Sequence, residues 1–129
     1  MLKILLFTDD EMVFRKTKEI VNEEFELIWL RFNDINRQEY FCANIVIIHF
    51  SRTRIIEGTF LPIINVKGKM GTDIPILVIM DGTPQEIFSV LKAGAYDYIT
   101  TIEDQQMYEK KIKDIFLWEW YRNKYKSKK

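Results

Sequence analysis

Four side chains in this sequence carry the chemistry for a site: Asp9, Asp10, His49 and Asp81. Asp9 and Asp10 follow the apolar run Lys3 to Thr8, Asp81 follows the apolar run Ile74 to Met80, and His49, the chain's only histidine, stands near the end of Asn44 to Ser51. Imidazole with carboxylates suits Zn²⁺ or a similar ion better than Mg²⁺, which demands oxygen ligands in near-ideal octahedral geometry. The preferred reading of the pattern is a second use. A protonated imidazole beside two carboxylates supplies a cation, and that role needs a pKa raised above the ordinary histidine value. Aspartate is also favoured at helix starts, which would make Asp9, Asp10 and Asp81 loop and cap residues.

Those residues need a frame that holds the ends of several strands together. Asn44 to Ser51 is apolar on both faces, as expected where helices cover both sides of a parallel sheet. Lys3 to Thr8, Phe25 to Phe32, Ile74 to Met80 and Tyr96 to Thr100 read as further strands. Amphipathic spacing predicts a helix from Glu11 to about Glu24, a short one over Ile35 to Cys42, and a third at roughly 59 to 67. Thr83 as N-cap, Pro84 at the first helical position and Glu86 form a capping box, with Gly94 as the stop. Ile102, Glu103 and Asp104 open a long last helix through Tyr121. Strand and helix thus alternate, which predicts an α/β fold, a flavodoxin-like (βα)5 three-layer sandwich with a parallel five-stranded sheet of order 2-1-3-4-5. Ligand crevices in such sheets lie beyond the carboxyl ends of the strands, where all four residues fall.

The 129 residues are read as a single domain, 1–129, with a basic helix end from about residue 122. Lysine plus arginine and aspartate plus glutamate both total 19, so no bulk charge points to nucleic acid or to a membrane surface. A single cysteine, Cys42, excludes an intramolecular disulfide. The apolar runs are too short to span a bilayer and no signal-peptide pattern follows Met1, so a soluble cytoplasmic protein is expected.

Asp9-Asp10-Glu11 after the first strand, the buried strand at Ile45, and Leu91-Lys92-Ala93-Gly94-Ala95-Tyr96-Asp97-Tyr98-Ile99 together resemble the receiver domain of two-component response regulators. The resemblance covers the chain up to the start of the last helix. It implies that Asp9 and Asp10 are metal-binding positions, that His49 stands where the family has its phosphoacceptor aspartate, and that Met80 stands where it has a hydroxyl. It also places Thr101 at the family's lysine position and Tyr98 at its switch aromatic.

An imidazole forms no acyl phosphate, Met80 offers no hydroxyl and Thr101 no charge. Mg²⁺ is therefore expected to bind weakly or not at all, with a Zn²⁺-type ion at Asp9, Asp10 and His49 as the alternative, and a phospho-accepting His49 as a remoter one. The resemblance implies a degenerate receiver, not an enzyme, that works in signal transduction as a phosphorylation-independent protein-interaction module. Its alternative senses metal or pH through His49 with Asp9 and Asp10. No glycine-rich phosphate loop follows the first strand, which argues against a small flavodoxin-like enzyme. The partner, another protein or a second copy, is expected on the face made by helix 84–93, strand 96–100 and the last helix. Trp118 and Trp120 stand two apart on that helix and cannot both face inward.

Overall fold

The computed structural model describes all residues except 1, 22, 38–41, 57–59 and 127–129. Five strands, β1 (Leu2–Phe7), β2 (Phe25–Leu30), β3 (Ile45–Phe50), β4 (Ile76–Met80) and β5 (Asp97–Ile99), form one sheet of order β2-β1-β3-β4-β5. Every pairing is parallel. Helices α1 (Glu11–Val21), α2 (Arg52–Ile56), α3 (Leu61–Met70), α4 (Pro84–Ala93) and α5 (Gln105–Lys126) complete the flavodoxin-like sandwich.

Alternation along the strands sorts the core into two layers. Leu5, Phe7, Val46, Ile48, Val78 and Met80 face α3 and α4 through Ile63, Val66 and Val90. Ile4, Leu6, Ile45, Ile47, Leu77 and Ile79 face the other way, against Val13 and Ile20 of α1 and Tyr108, Ile112 and Ile115 of α5. Both faces of β1, β3 and β4 are therefore dry, which is why their sequences are continuously apolar. Among the described residues no helix is long and apolar enough to cross a membrane.

Three elements differ from the sequence reading. Ile35 belongs to a 3-10 turn, Phe32–Asn36, whose buried residues Phe32 and Ile35 are three apart; of the helix expected over Ile35 to Cys42, residues 38–41 lie outside the described residues. The loop after β3 holds α2, which the sequence reading left out and which five residues are too few to mark by periodicity. The third helix runs Leu61–Met70, shifted toward the carboxyl end of the expected span. The α4 cap is as read: Thr83 Oγ1 accepts the Glu86 amide at 3.2 Å, and Glu86 Oε1 accepts the Thr83 amide at 2.8 Å. Gly94 ends that helix at φ 122°, in the region that favours glycine.

Candidate functional site at the carboxyl edge of the sheet

Parallel register sets Leu6 opposite Ile47, so two residues further on Thr8 and His49 come level on the same face. Thr8 Oγ1 lies 2.8 Å from His49 Nδ1. The same hydroxyl accepts the Asp10 amide at 3.0 Å, and the Thr8 carbonyl accepts Trp29 Nε1–H at 2.9 Å. With one lone pair engaged by an amide, the hydroxyl is free to aim its proton at Nδ1, an arrangement that suits a neutral ring protonated on Nε2. Burial draws the His49 pKa below 6.5, outweighing the upward pulls of Asp10 and Asp9. The imidazolium expected from sequence is thereby corrected. Neighbouring charges can be counted along a chain, but the depth that desolvates a ring cannot.

Asp9 and Asp10 part company at the end of β1. Asp10 is the N-cap of α1: its Oδ1 accepts the Met12 amide at 2.8 Å and its carbonyl accepts Val13 N–H at 3.1 Å. Asp9 turns toward β2 and α2. Its Oδ1 accepts the Phe32 amide at 3.1 Å, its Oδ2 accepts Arg54 Nη2 at 3.2 Å, and its carbonyl accepts Arg31 Nη1 at 3.2 Å. The Arg54 guanidinium also lies over the Phe32 ring, 4.5 Å from the centroid. On the other side of the crevice, Arg52 Nη1 donates to the Asp81 carbonyl at 3.3 Å and pairs with Glu86 at 3.5 Å. Helix α2 thus sets one arginine on each flank of His49.

One crevice is lined by Asp10, His49, Met80, Asp81 and Thr101, and an adjoining one by Asp9, Asp10, His49 and Arg54. The residues singled out from sequence are gathered, but their groups are engaged differently. Met80 is buried in the core, Asp81 is exposed, and exposed Thr101 uses its hydroxyl to accept the Glu103 amide at 3.2 Å. Tyr98 stands apart from both crevices. Lys111 Nζ lies 5.9 Å from its ring centroid and bridges Asp97 at 2.8 Å, while Asp97 Oδ1 accepts the Tyr98 amide at 2.8 Å.

The Mg²⁺ implied by the resemblance does not fit this donor set. Both Asp9 oxygens and one Asp10 oxygen already accept hydrogen bonds, a guanidinium sits on Asp9, and the third position offers an imidazole in place of a carboxylate oxygen. Among the described residues, no three His, Cys, Asp or Glu side chains are grouped as metal ligands would be, which weighs equally against the Zn²⁺ alternative.

Sequence reasoning missed Thr8 and Arg54. Thr8 was within reach, since it ends the first apolar run in phase with Ile4 and Leu6. Arg54 gave no signal, because its helix gave none.

The sheet order, the two-sided helical cover and the crevice at the carboxyl edge can be set against known structures. The chain is similar to a two-component response regulator from Clostridium difficile, with TM-score 0.71 at 17% identity over 90% of this chain and 96% of that one. The fold is that of a receiver domain. A signal receiver domain from Clostridium thermocellum gives TM-score 0.71 at 17% identity, covering 88% and 95% of the two chains. A CheY-like response regulator from Mesorhizobium loti gives 0.69 at 13%, covering 92% and 98%. No protein-family profile and no curated protein matches the sequence.

Proposed function

We propose that this receiver-fold chain is a non-catalytic signalling module whose partner surface is read without aspartyl phosphorylation. The observation that supports the reading is the end of β3, where an imidazole is bonded to Thr8 at the position that the resemblance assigns to the family's phosphoacceptor. Phosphoryl transfer needs a carboxylate to form the acyl phosphate and cations to neutralise the developing charge. Here one Asp10 oxygen is spent on an amide cap and Asp9 is paired with Arg54.

The surface offered to a protein partner or a second copy is the α4–β5–α5 face. Phe88 and Leu91 on α4, Tyr96 before β5, and Leu117, Trp118, Trp120 and Tyr121 on α5 are all exposed. Both tryptophans face outward, at 51% and 48% exposure. The inward stripe of α5 explains why: Tyr108, Ile112 and Ile115 are buried, and the next positions in phase are Glu119 and Arg122, paired at 2.7 Å. Tyr98, pinned between Lys111 and the core, gives that face one constant shape.

Incubation with a small phosphodonor and Mg²⁺, followed by intact-mass measurement, is expected to show no added phosphoryl group. A stoichiometric, hydroxylamine-labile adduct would overturn the reading. For the surface, Trp118→Ala and Trp120→Ala are each expected to weaken self-association in sedimentation or binding to a purified protein partner, because exposed aromatic anchors dominate such contacts.

A further inference from the structure

Asp9 is the best-satisfied exposed carboxylate in the crevice, and the group that balances its charge comes from the chain itself. The guanidinium of Arg54 is 3.2 Å from Oδ2, its side chain is 23% exposed, and it is stacked over Phe32. Phe32 in turn donates its amide to Asp9 Oδ1 and is 7% exposed. The carboxylate, the ring and the guanidinium are therefore joined through one aromatic residue. α2 places Arg54 there because Ile55 is anchored in the core at 3% exposure and the Ile55 amide closes the helix on the Ser51 carbonyl at 3.0 Å.

We propose that Arg54 is the crevice's resident cation. It does for Asp9 what a bound divalent ion would do, and its presence keeps such an ion out. A guanidinium is permanently charged, more weakly hydrated than a metal ion, and matched in shape to a carboxylate. It is also part of the chain, so its pairing with Asp9 is intramolecular and does not depend on the supply of any free ion. The Asp9 carboxylate is thus neutralised from α2 whether or not divalent ions are available.

The test uses Mn²⁺ as the probe, followed by paramagnetic broadening of the amide signals of residues 8 to 11, on the full chain. Arg54→Gln, which removes the charge and keeps a polar side chain, is expected to bind Mn²⁺ about tenfold more tightly than the unaltered protein, as befits one unit of ligand charge set free. Mg²⁺ in excess should reverse the broadening. The double variant Asp9→Asn, Arg54→Gln should lose the gain. Equal Mn²⁺ affinity with and without Arg54, or a gain that survives loss of the Asp9 carboxylate, overturns the proposal. Should Arg54→Gln fail to fold, Asp9→Asn alone serves: the Arg54 guanidinium protons should then exchange faster with water, and unchanged exchange overturns the claim. The inference builds on the reading of the crevice as unphosphorylated, but the two fail separately. Labelling of the unaltered protein by a phosphodonor sinks that reading alone, and equal Mn²⁺ affinities sink this one alone.

Discussion

Two hydroxyl-centred pairs lie on the same side of the sheet, and they differ in what surrounds them. Between α1 and α5, Thr17 Oγ1 donates to the Val13 carbonyl at 2.7 Å and meets Tyr108 Oη at 2.7 Å, with both residues 0% exposed. At the sheet edge, Thr8 meets His49 at a similar distance, but the ring opens on the crevices. Burial moves both titrating partners toward their neutral forms: the Tyr108 phenol is pushed up, out of reach of any physiological pH, and the His49 imidazole is drawn down. The first pair is thereby a fixed tie between two helices. The second stays within reach of solution conditions, because histidine starts near neutrality and its crevice admits water.

The comparison breaks most visibly at the sealed pair. Tyr108→Ala is expected to cost about 3–5 kcal/mol of unfolding free energy, the range for deleting a buried aromatic ring. Thr17→Val keeps the shape but strands the phenol hydroxyl, at about 1–3 kcal/mol. Urea unfolding of both variants checks the order. If Thr17→Val is neutral, the hydroxyl pair adds nothing beyond packing.

Thr8→Val tests the open pair and is expected to cost less, about 1 kcal/mol, because its partners are partly solvated. The His49 ring should report the change: without the Thr8 hydroxyl its Nδ1 chemical shift moves, while the Tyr108 signals stay put.

The smallest effect is a slope. A histidine whose folded pKa lies below its unfolded value of 6.5 contributes its full stability above 6.5. As pH falls through 6.5 the unfolded chain takes the proton first, so stability declines until the folded pKa is reached. Urea midpoints between about pH 5 and 8 should therefore fall on acidification, and His49→Gln should flatten the curve. A midpoint that rises on acidification would mean that Asp10 and Asp9 outweigh burial after all.

Much of the fold was legible because it rests on local chemistry. Continuous apolar runs marked β1, β3 and β4, and Thr83, Pro84, Glu86 and Gly94 marked both ends of α4. The site was legible only as a gathering of positions. Asp9, Asp10, His49, Met80, Asp81 and Thr101 do meet at the sheet edge, as strand order requires. Which group bonds to which was hidden for two reasons. His49's protonation depends on depth, and Asp9's partner sits on a five-residue helix too short to leave a periodic trace.

The change of character along α5 gives its two halves different sensitivities. Up to Ile115 the helix is held by apolar burial, which added salt leaves intact. Beyond it the inward stripe is held by Arg122, through Glu119, the Asp73 carbonyl at 3.0 Å and the Asp73 carboxylate at 3.8 Å. The Asp73 carboxylate, 65% exposed, is screened as the Debye length shrinks from about 8 Å at physiological ionic strength to about 3 Å at 1 M, whereas the half-buried Glu119–Arg122 pair is screened less. Raising ionic strength should therefore fray the last turns while the helix stays docked through Ile115. The outward tryptophans, Trp118 and Trp120, both lie beyond that boundary, so the surface they offer is coupled to the salt around the protein.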